Sequence, residues 1–307
     1  MDQEAPVALV VGASRGIGRQ VAISLAKNGY QVVVAAKTLS DAYATSPFPP
    51  NPNSSLSTIN TVQREIKEAG GKSTAIQVDT RSLDSIKDMV DGTVDVYGRL
   101  DVVIYNSGAI WWASVENTSM KRFRLMQQVN VEGLYGTIQA AIPHFRSNGW
   151  QGRVVMVSPP IYSRFFRGKT AYAIGKVGMS VLTKGVAMDW KREGKKDMAI
   201  TSIWPAVGIQ SAATSESSPL SDLRHPTIFA DAILEILRSP PEAVSGCLEL
   251  DEDFLRSRGV NDFSKYSLVP GSNPRRIMPA QLPDLTVAEE DDEGQQINSI
   301  KLRESRL

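Results

Sequence analysis

Four short, almost unbroken apolar runs constrain this chain more than any other feature: VALVV at 7–11, QVVVAA at 31–36, DVVIY at 101–105 and RVVMV at 153–157. A strand with one wet face alternates apolar and polar residues, so runs without alternation belong to strands covered on both faces. Further β-branched runs lie near 74–79, 199–203 and 246–250, and longer segments with helical periodicity separate most of them. Strands alternating with helices imply crossover connections and hence parallel pairing. The predicted fold class is α/β, a doubly wound parallel seven-stranded sheet in a single domain with a C-terminal extension.

The domain is expected over residues 1–255. Within it, the stretch at 38–57 is a loop insertion: LSDAYATSPFPPNPNSSL is too rich in Pro, Ser and Asn to sustain a helix or an inner strand, and reads as exposed. Residues 256–307 form an extension and a polar tail, in which EEDDEG marks the charged end. Lys and Arg number 34 against 33 Asp and Glu, so no overall field favours nucleic acid. The single cysteine, Cys247, excludes an intrachain disulfide, and with only His144 and His225 beside it no cluster has metal-ligand spacing. No stretch approaches the ~18 apolar residues of a membrane span, and the amino terminus lacks the basic and apolar regions of a secretory signal.

After the first strand the chain reads VGASRGIGRQVAISLAKNGY, placing Gly12, Gly16 and Gly18 in a turn that runs directly into a helix. Such a turn needs permissive dihedrals, and a diphosphate approaches a helix N-terminus closely only where side chains are missing. The context is that of a Rossmann dinucleotide site, with Ser14, Arg15 and Ile17 completing the turn. An NAD site usually carries an acid at the end of the second strand, but Lys37 stands there. Lys37 and Arg15 suit the ribose 2′-phosphate of NADP, the alternative being two solvated surface charges.

TAYAIGKVG at 170–178 places Tyr172 and Lys176 four apart, on one helical face. An ammonium beside a phenol favours the phenolate, so this pair can exchange a proton with an alcohol or carbonyl. Upstream lie YNSG at 105–108, MQQVNVEG with Asn130, and the strand end MVS with Ser158. In this order and spacing, over about residues 5–255, the chain resembles the short-chain dehydrogenase/reductase family.

The resemblance implies that Tyr172 is the acid/base, that Lys176 lowers its pKa and binds the nicotinamide ribose, and that Asn130 holds a water linking Lys176 to solvent. It also implies adenine-side contacts for Asp79, Asn106 and Gly108. Two departures stand out. Tyr105 and Ser107 replace the usual residues of the N-N-A-G turn, and Pro159 occupies the position thirteen before Tyr172 where the family has a catalytic serine. Proline donates no hydrogen bond. Either Ser158 takes that role through a shifted loop, with Ser163 as an outside candidate, or the site lacks it.

SPP, AAKT, IWP and the segment after 250 resemble the hydroxysteroid-dehydrogenase-like subgroup, whose members can carry a sterol-carrier domain; the resemblance is expected to stop short of that domain. The expected activity is NADP(H)-dependent interconversion of a small-molecule carbonyl and an alcohol. Alternatives are an NADP(H)-binding sensor or scaffold with weak catalysis, or a reductase of an imine or enoyl thioester. Residues 206–226 suit a mobile lid, and Trp111 and Trp112 are either pocket walls or ordinary packing. The helix from Tyr172 to about Lys191 is apolar around much of its circumference, which suits a homodimer or homotetramer or else intrachain burial. Ser305-Arg306-Leu307 matches a peroxisomal address read by an import receptor. The expected location is the peroxisome, otherwise the cytoplasm.

Overall fold

The computed structural model describes residues 5–214 and 218–286, together with Ser299 and Arg303. Seven strands form one parallel sheet: β1 (Val7–Val11), β2 (Gln31–Ala36), β3 (Ser73–Gln77), β4 (Val102–Tyr105), β5 (Gly152–Val157), β6 (Met198–Trp204) and β9 (Leu248–Leu250). Their order is β3-β2-β1-β4-β5-β6-β9, so the winding reverses between β1 and β4. β7 (Gly208–Ile209) and β8 (Leu223–Arg224) form a separate parallel pair that periodicity does not signal.

The apolar runs are buried on both faces, as their lack of alternation requires: Val7 to Val11 and Val32 to Ala35 are fully inaccessible. Each such Val or Ile side chain contributes about 1.5–3 kcal/mol on burial. One face is covered by α1 (Gly16–Lys27), α2 (Ile59–Glu68), α7 (Thr227–Arg238) and α9 (Asp251–Ser257), with Leu25, Ile66, Phe229 and Phe254 in its core. The other is covered by α3 (Leu83–Tyr97), α5 (Gly133–Ser147) and α6 (Thr170–Arg192), with Met89, Phe145, Met179 and Trp190 inside. α4 (Met120–Gln127) packs beside α6, and the short α8 (Pro241–Val244) precedes β9.

Beyond α9 the chain turns back over the segment that follows β6. Arg276 bridges to Val207 and Ser267 to Arg224, the N–H groups of Ile277 and Met278 donate to Ala206 O, and Arg276 Nη1 reaches Asp253 Oδ1 at 2.6 Å. Met278 is buried with Ala206 and Leu250. The extension up to about residue 280 is therefore a strap across the lid. Ser305-Arg306-Leu307 and residues 215–217 of the lid lie outside the described residues.

Asp251 anchors this junction. Its buried carboxylate accepts the N–H groups of Ala206 at 2.8 Å and Glu252 at 2.7 Å. Desolvation outweighs these donors and nearby Arg224, and pushes the carboxyl up to about 7. The folded chain thus holds a proton that the unfolded chain releases near pH ~4, so this group's stabilisation is full below that pH and is lost as pH rises through about 7. In thermal melts from pH 4 to 8, the wild type is expected to lose midpoint temperature relative to Asp251→Asn as pH climbs; parallel curves would show that the carboxyl does not titrate in that window.

Candidate active site

The reversal between β1 and β4 opens a crevice at the carboxyl ends of the strands, where ligands of open α/β sheets bind. Its floor is the glycine turn. Gly12 has φ +86°, and a Cβ there would lie 2.6 Å from Ser107 N, so the turns after β1 and β4 touch backbone to backbone. Asn106 fastens them, donating from Nδ2 to Gly12 O at 3.0 Å while its own N–H meets Val11 O. α1 starts at Gly16 with no side chain capping it and no acid in its first turn. Uncapped N–H groups at a helix N-terminus favour an anion.

The 38–57 insertion carries no helix or strand and is exposed over most of its length, as its composition implies, and it also contacts the glycine turn. Ala42, Pro50 and Ser57 are buried, Ser57 Oγ donates to Ser14 O at 2.7 Å, and Pro52 O accepts the Gly16 N–H at 2.9 Å. The insertion thus roofs the glycine turn. Asn53 Oδ1 is buried there without a partner, in contact distance of a Cβ placed on Gly16, as is Ser211 from the lid. An orphaned polar atom beside a helix N-terminus that no side chain caps fits a polar, anionic ligand such as a dinucleotide diphosphate.

At the far end of the crevice, exposed Lys37 pairs with Asp79 at 3.0 Å, and Arg81 Nε also binds Asp79, at 2.8 Å. Arg81, more than Lys37, holds the Asp79 carboxyl well below the usual range. Arg15 is partly buried, with no ion pair among the described residues. Lys37 and Asp79, assigned separate duties by the resemblance, are therefore one cluster in which Arg81 is a third member. The only sequence signal for Arg81 is its position two residues after Asp79.

Tyr172 and Lys176 are both buried on the sheet-facing side of α6. Lys176 Nζ donates to Val157 O at 2.7 Å and sits 5.6 Å from the Trp204 ring centre. A Cβ on Gly108 would stand 3.5 Å from Lys176 Nζ and 3.4 Å from Asn130 Oδ1, so the three groups converge. Asn130 is itself held twice by Ala109, accepting its N–H at 2.8 Å and donating to its carbonyl at 3.1 Å. It lies in a π-helical turn, Gln128–Glu132, a widening that the sequence pattern does not reveal. Tyr105 braces that turn through a 2.5 Å bond to Val129 O, which gives the unusual first residue of YNSG a structural task.

Burial dominates the electrostatics here. Burial pushes the Tyr172 hydroxyl above its ordinary value and lowers Lys176 to about 7, because desolvation penalises both charged forms. The Lys176 ammonium donates to Val157 O at the end of β5.

Ser158 is fully buried at the end of β5, with its hydroxyl 3.0 Å from Ser180 Oγ. Ser180 lies eight residues beyond Tyr172 on α6, about 12 Å along the axis. In that contact Ser158 Oγ accepts from Ser180, whose hydroxyl also reaches Pro159 O at 2.6 Å. Ser163 is exposed in a 3-10 turn.

Around Tyr172 stands an aromatic collar instead: Trp112 is edge-on at 6.3 Å, and Phe165 lies at 6.2 Å from Tyr172 and 5.7 Å from Trp204. Trp111 is exposed, with Arg122 over its ring at 4.5 Å. On the outer side of α6, Ile174, Val181 and Met188 are exposed at seven-residue intervals. Among the described residues no group of His, Cys, Asp and Glu could hold a metal ion, and no helix is long and apolar enough to cross a membrane.

Comparisons with known proteins bear on the family and the fold. The short chain dehydrogenase family model matches residues 6–46 and 53–219, the gap falling within the insertion. Hydroxysteroid dehydrogenase-like protein 2 from Danio rerio is 35% identical over 267 residues, covering 85% of this chain but 60% of the relative, so the chain spans under two thirds of that protein. A short chain dehydrogenase structure from Mycobacterium thermoresistibile, 31% identical, matches with a TM-score of 0.76 over 88% of this chain and 93% of its own. A 7α-hydroxysteroid dehydrogenase solved with NADH and 7-oxo glycochenodeoxycholic acid is 25% identical, with a TM-score of 0.64 over 80% of this chain and 92% of its own.

Proposed function

The chain belongs to the short-chain dehydrogenase family, close to the hydroxysteroid dehydrogenase-like protein 2 subgroup; we propose that it is an oxidoreductase, an NADP(H)-dependent enzyme that reduces a small-molecule carbonyl to an alcohol. The observation that carries this reading is a buried Tyr172 in an aromatic collar, one helical turn before Lys176, which converges with Asn130 at Gly108.

The glycine turn, Asn106, Gly108 and Lys176 would hold the dinucleotide, with Lys37 and Arg15 toward its 2′-phosphate. When bound, the nicotinamide supplies or accepts the hydride. Tyr172 donates its phenolic proton to the substrate oxygen as the carbonyl carbon is reduced, and a raised pKa keeps that proton in place until it is needed. Lys176, held between Val157 O and the Asn130–Gly108 corner, fixes the tyrosine's surroundings and stands ready to compensate the phenolate left behind. The collar excludes water from the transfer.

Titration with NADPH and NADH, followed by NADPH oxidation across ketones and aldehydes, tests the reading. Turnover of a carbonyl supports it. Tight NADPH binding with no turnover would favour the second reading, a dinucleotide sensor, for which Pro159 speaks. Cofactor choice has its own test. Lys37→Glu places a negative charge beside the proposed 2′-phosphate and is expected to weaken NADPH by roughly 10–100-fold, the worth of a charge-assisted hydrogen bond, and NADH little. Equal losses for both would remove Lys37 as the selector.

The stripe of Ile174, Val181 and Met188 supports a homo-oligomer in which this face meets a second copy. Light scattering after size exclusion is expected to give a dimer or tetramer that Val181→Glu shifts toward monomer; a wild-type monomer would refute it.

A further inference from the structure

The mouth of the site is far more basic than the chain. Residues 160–172 carry Arg164, Arg167 and Lys169 with no acid, and residues 109–127 carry Lys121, Arg122 and Arg124 against Glu116 alone, within a chain whose net charge is +1. Lys169 is the member nearest the chemistry. It is the residue that precedes α6, three before Tyr172. Its Nζ lies 4.6 Å from the ring centre of Phe165 and 5.7 Å from that of Trp112, the two rings that flank Tyr172.

Lys169 is half-buried, and no hydrogen-bond acceptor or carboxylate meets its ammonium among the described residues. Burial lowers its pKa, the mark of a cation desolvated without a counter-ion. Cation–π contact with two rings offsets part of that cost, on the order of 0.5–2 kcal/mol. A lysine whose only task was packing would gain by turning its head into water, as its length permits.

Resting on the reductase reading above, we propose that Lys169 is a substrate-binding residue that takes an anionic group, so that the substrate is a carbonyl compound with an apolar body and a carboxylate or phosphate one aromatic ring's width from the reacting carbon. The apolar body lies against Trp112 and Phe165, and the anion completes the ammonium's missing partner. Arg164, Arg167 and Arg122 extend the field around the mouth and raise the local concentration of such anions.

The test compares, in the wild type, Lys169→Met and Lys169→Arg, the reduction by NADPH of an aliphatic oxo-acid, its methyl ester and the matching coenzyme A thioester. Thermal melts and NADPH titration confirm that each variant is folded. The wild type is expected to prefer an anionic substrate over the neutral ester by roughly 10–100-fold in kcat/KM, mostly through KM. Lys169→Met should bring that ratio to within about twofold, and Lys169→Arg should restore it.

Preference for the oxo-acid assigns the anion to the substrate's own carboxylate, and preference for the thioester assigns it to the carrier's phosphates. Turnover of the ester with no anionic preference, or a preference that survives in Lys169→Met, overturns the Lys169 proposal and leaves the reductase reading standing. If nothing is turned over, quenching of tryptophan fluorescence by the oxo-acid or thioester, lost in Lys169→Met, retains the anion site and removes the reductase; no quenching by either overturns both.

Discussion

Tyr172→Phe is expected to lower turnover by roughly 10²–10⁴-fold while NADPH affinity stays within about threefold of the wild type. The magnitude is that of losing a positioned general acid. The hydroxyl is the only polar atom removed, and in the structure it makes no bond on which the cofactor-side residues depend: Lys176 is held by Val157 O, and Asn130 by Ala109. The ring remains, so Trp112 and Phe165 keep their neighbour. The raised pKa of the phenol sharpens the expectation, since burial stores the proton on Tyr172 across the neutral range. Single-turnover reduction of any carbonyl that the wild type accepts, alongside a fluorescence titration with NADPH, is the measurement. Unchanged turnover would mean that another group supplies the proton; a parallel loss of NADPH binding would mean that the ring's surroundings, not the hydroxyl, had been damaged.

Gly18→Ala should be nearly as damaging for a steric reason. A Cβ at this position would lie 2.2 Å from Gly12 O and 2.6 Å from Asn106 Nδ2, distances that no real methyl group tolerates. Neither neighbour can yield cheaply: Gly12 O is backbone in the turn that follows β1, and Asn106 is the clamp between the β1 and β4 turns. Relief requires α1 to lift from the sheet, separating Leu25 and Val21 from their core and moving the helix N-terminus away from the diphosphate site. A cost of about 3–5 kcal/mol is expected, in the range of severe overpacking with loss of a buried hydrogen bond, and NADPH affinity should fall by more than ~100-fold. Chemical denaturation with and without NADPH reads both effects. Wild-type stability in the variant would show that the turn yields to a methyl group after all, whereas lost stability with undiminished affinity would place the dinucleotide elsewhere.

Both expectations rest on residues that the amino-acid pattern alone singles out, and the reason is local. Glycines punctuating a strand-to-helix turn, a tyrosine and lysine four apart and strands without alternation are all patterns within a dozen residues, where backbone geometry alone dictates spacing. Their partners are less legible. The 38–57 segment has a loop's composition, yet its contacts with Ser14 and Gly16 come from chain more than thirty residues away. Asn130 stands out in MQQVNVEG, but the π-helical turn that presents it depends on Tyr105, on a different strand. No pattern marks the Lys169 ammonium, because its meaning depends on Phe165 and Trp112 meeting around it.

The parallel sheet, the glycine turn and the helical face that carries Tyr172 and Lys176 are legible in the amino-acid pattern, because each follows from a repeat set by strand or helix geometry. The partners of those groups come from segments distant along the chain, and folding alone brings them together. Ser158 Oγ meets Ser180 from α6, Lys176 Nζ meets Val157 O at the end of β5, and the extension beyond α9 meets Ala206 and Asp253. Hydrogen bonds and desolvation act over a few ångströms in space, a distance that says nothing about separation along the chain.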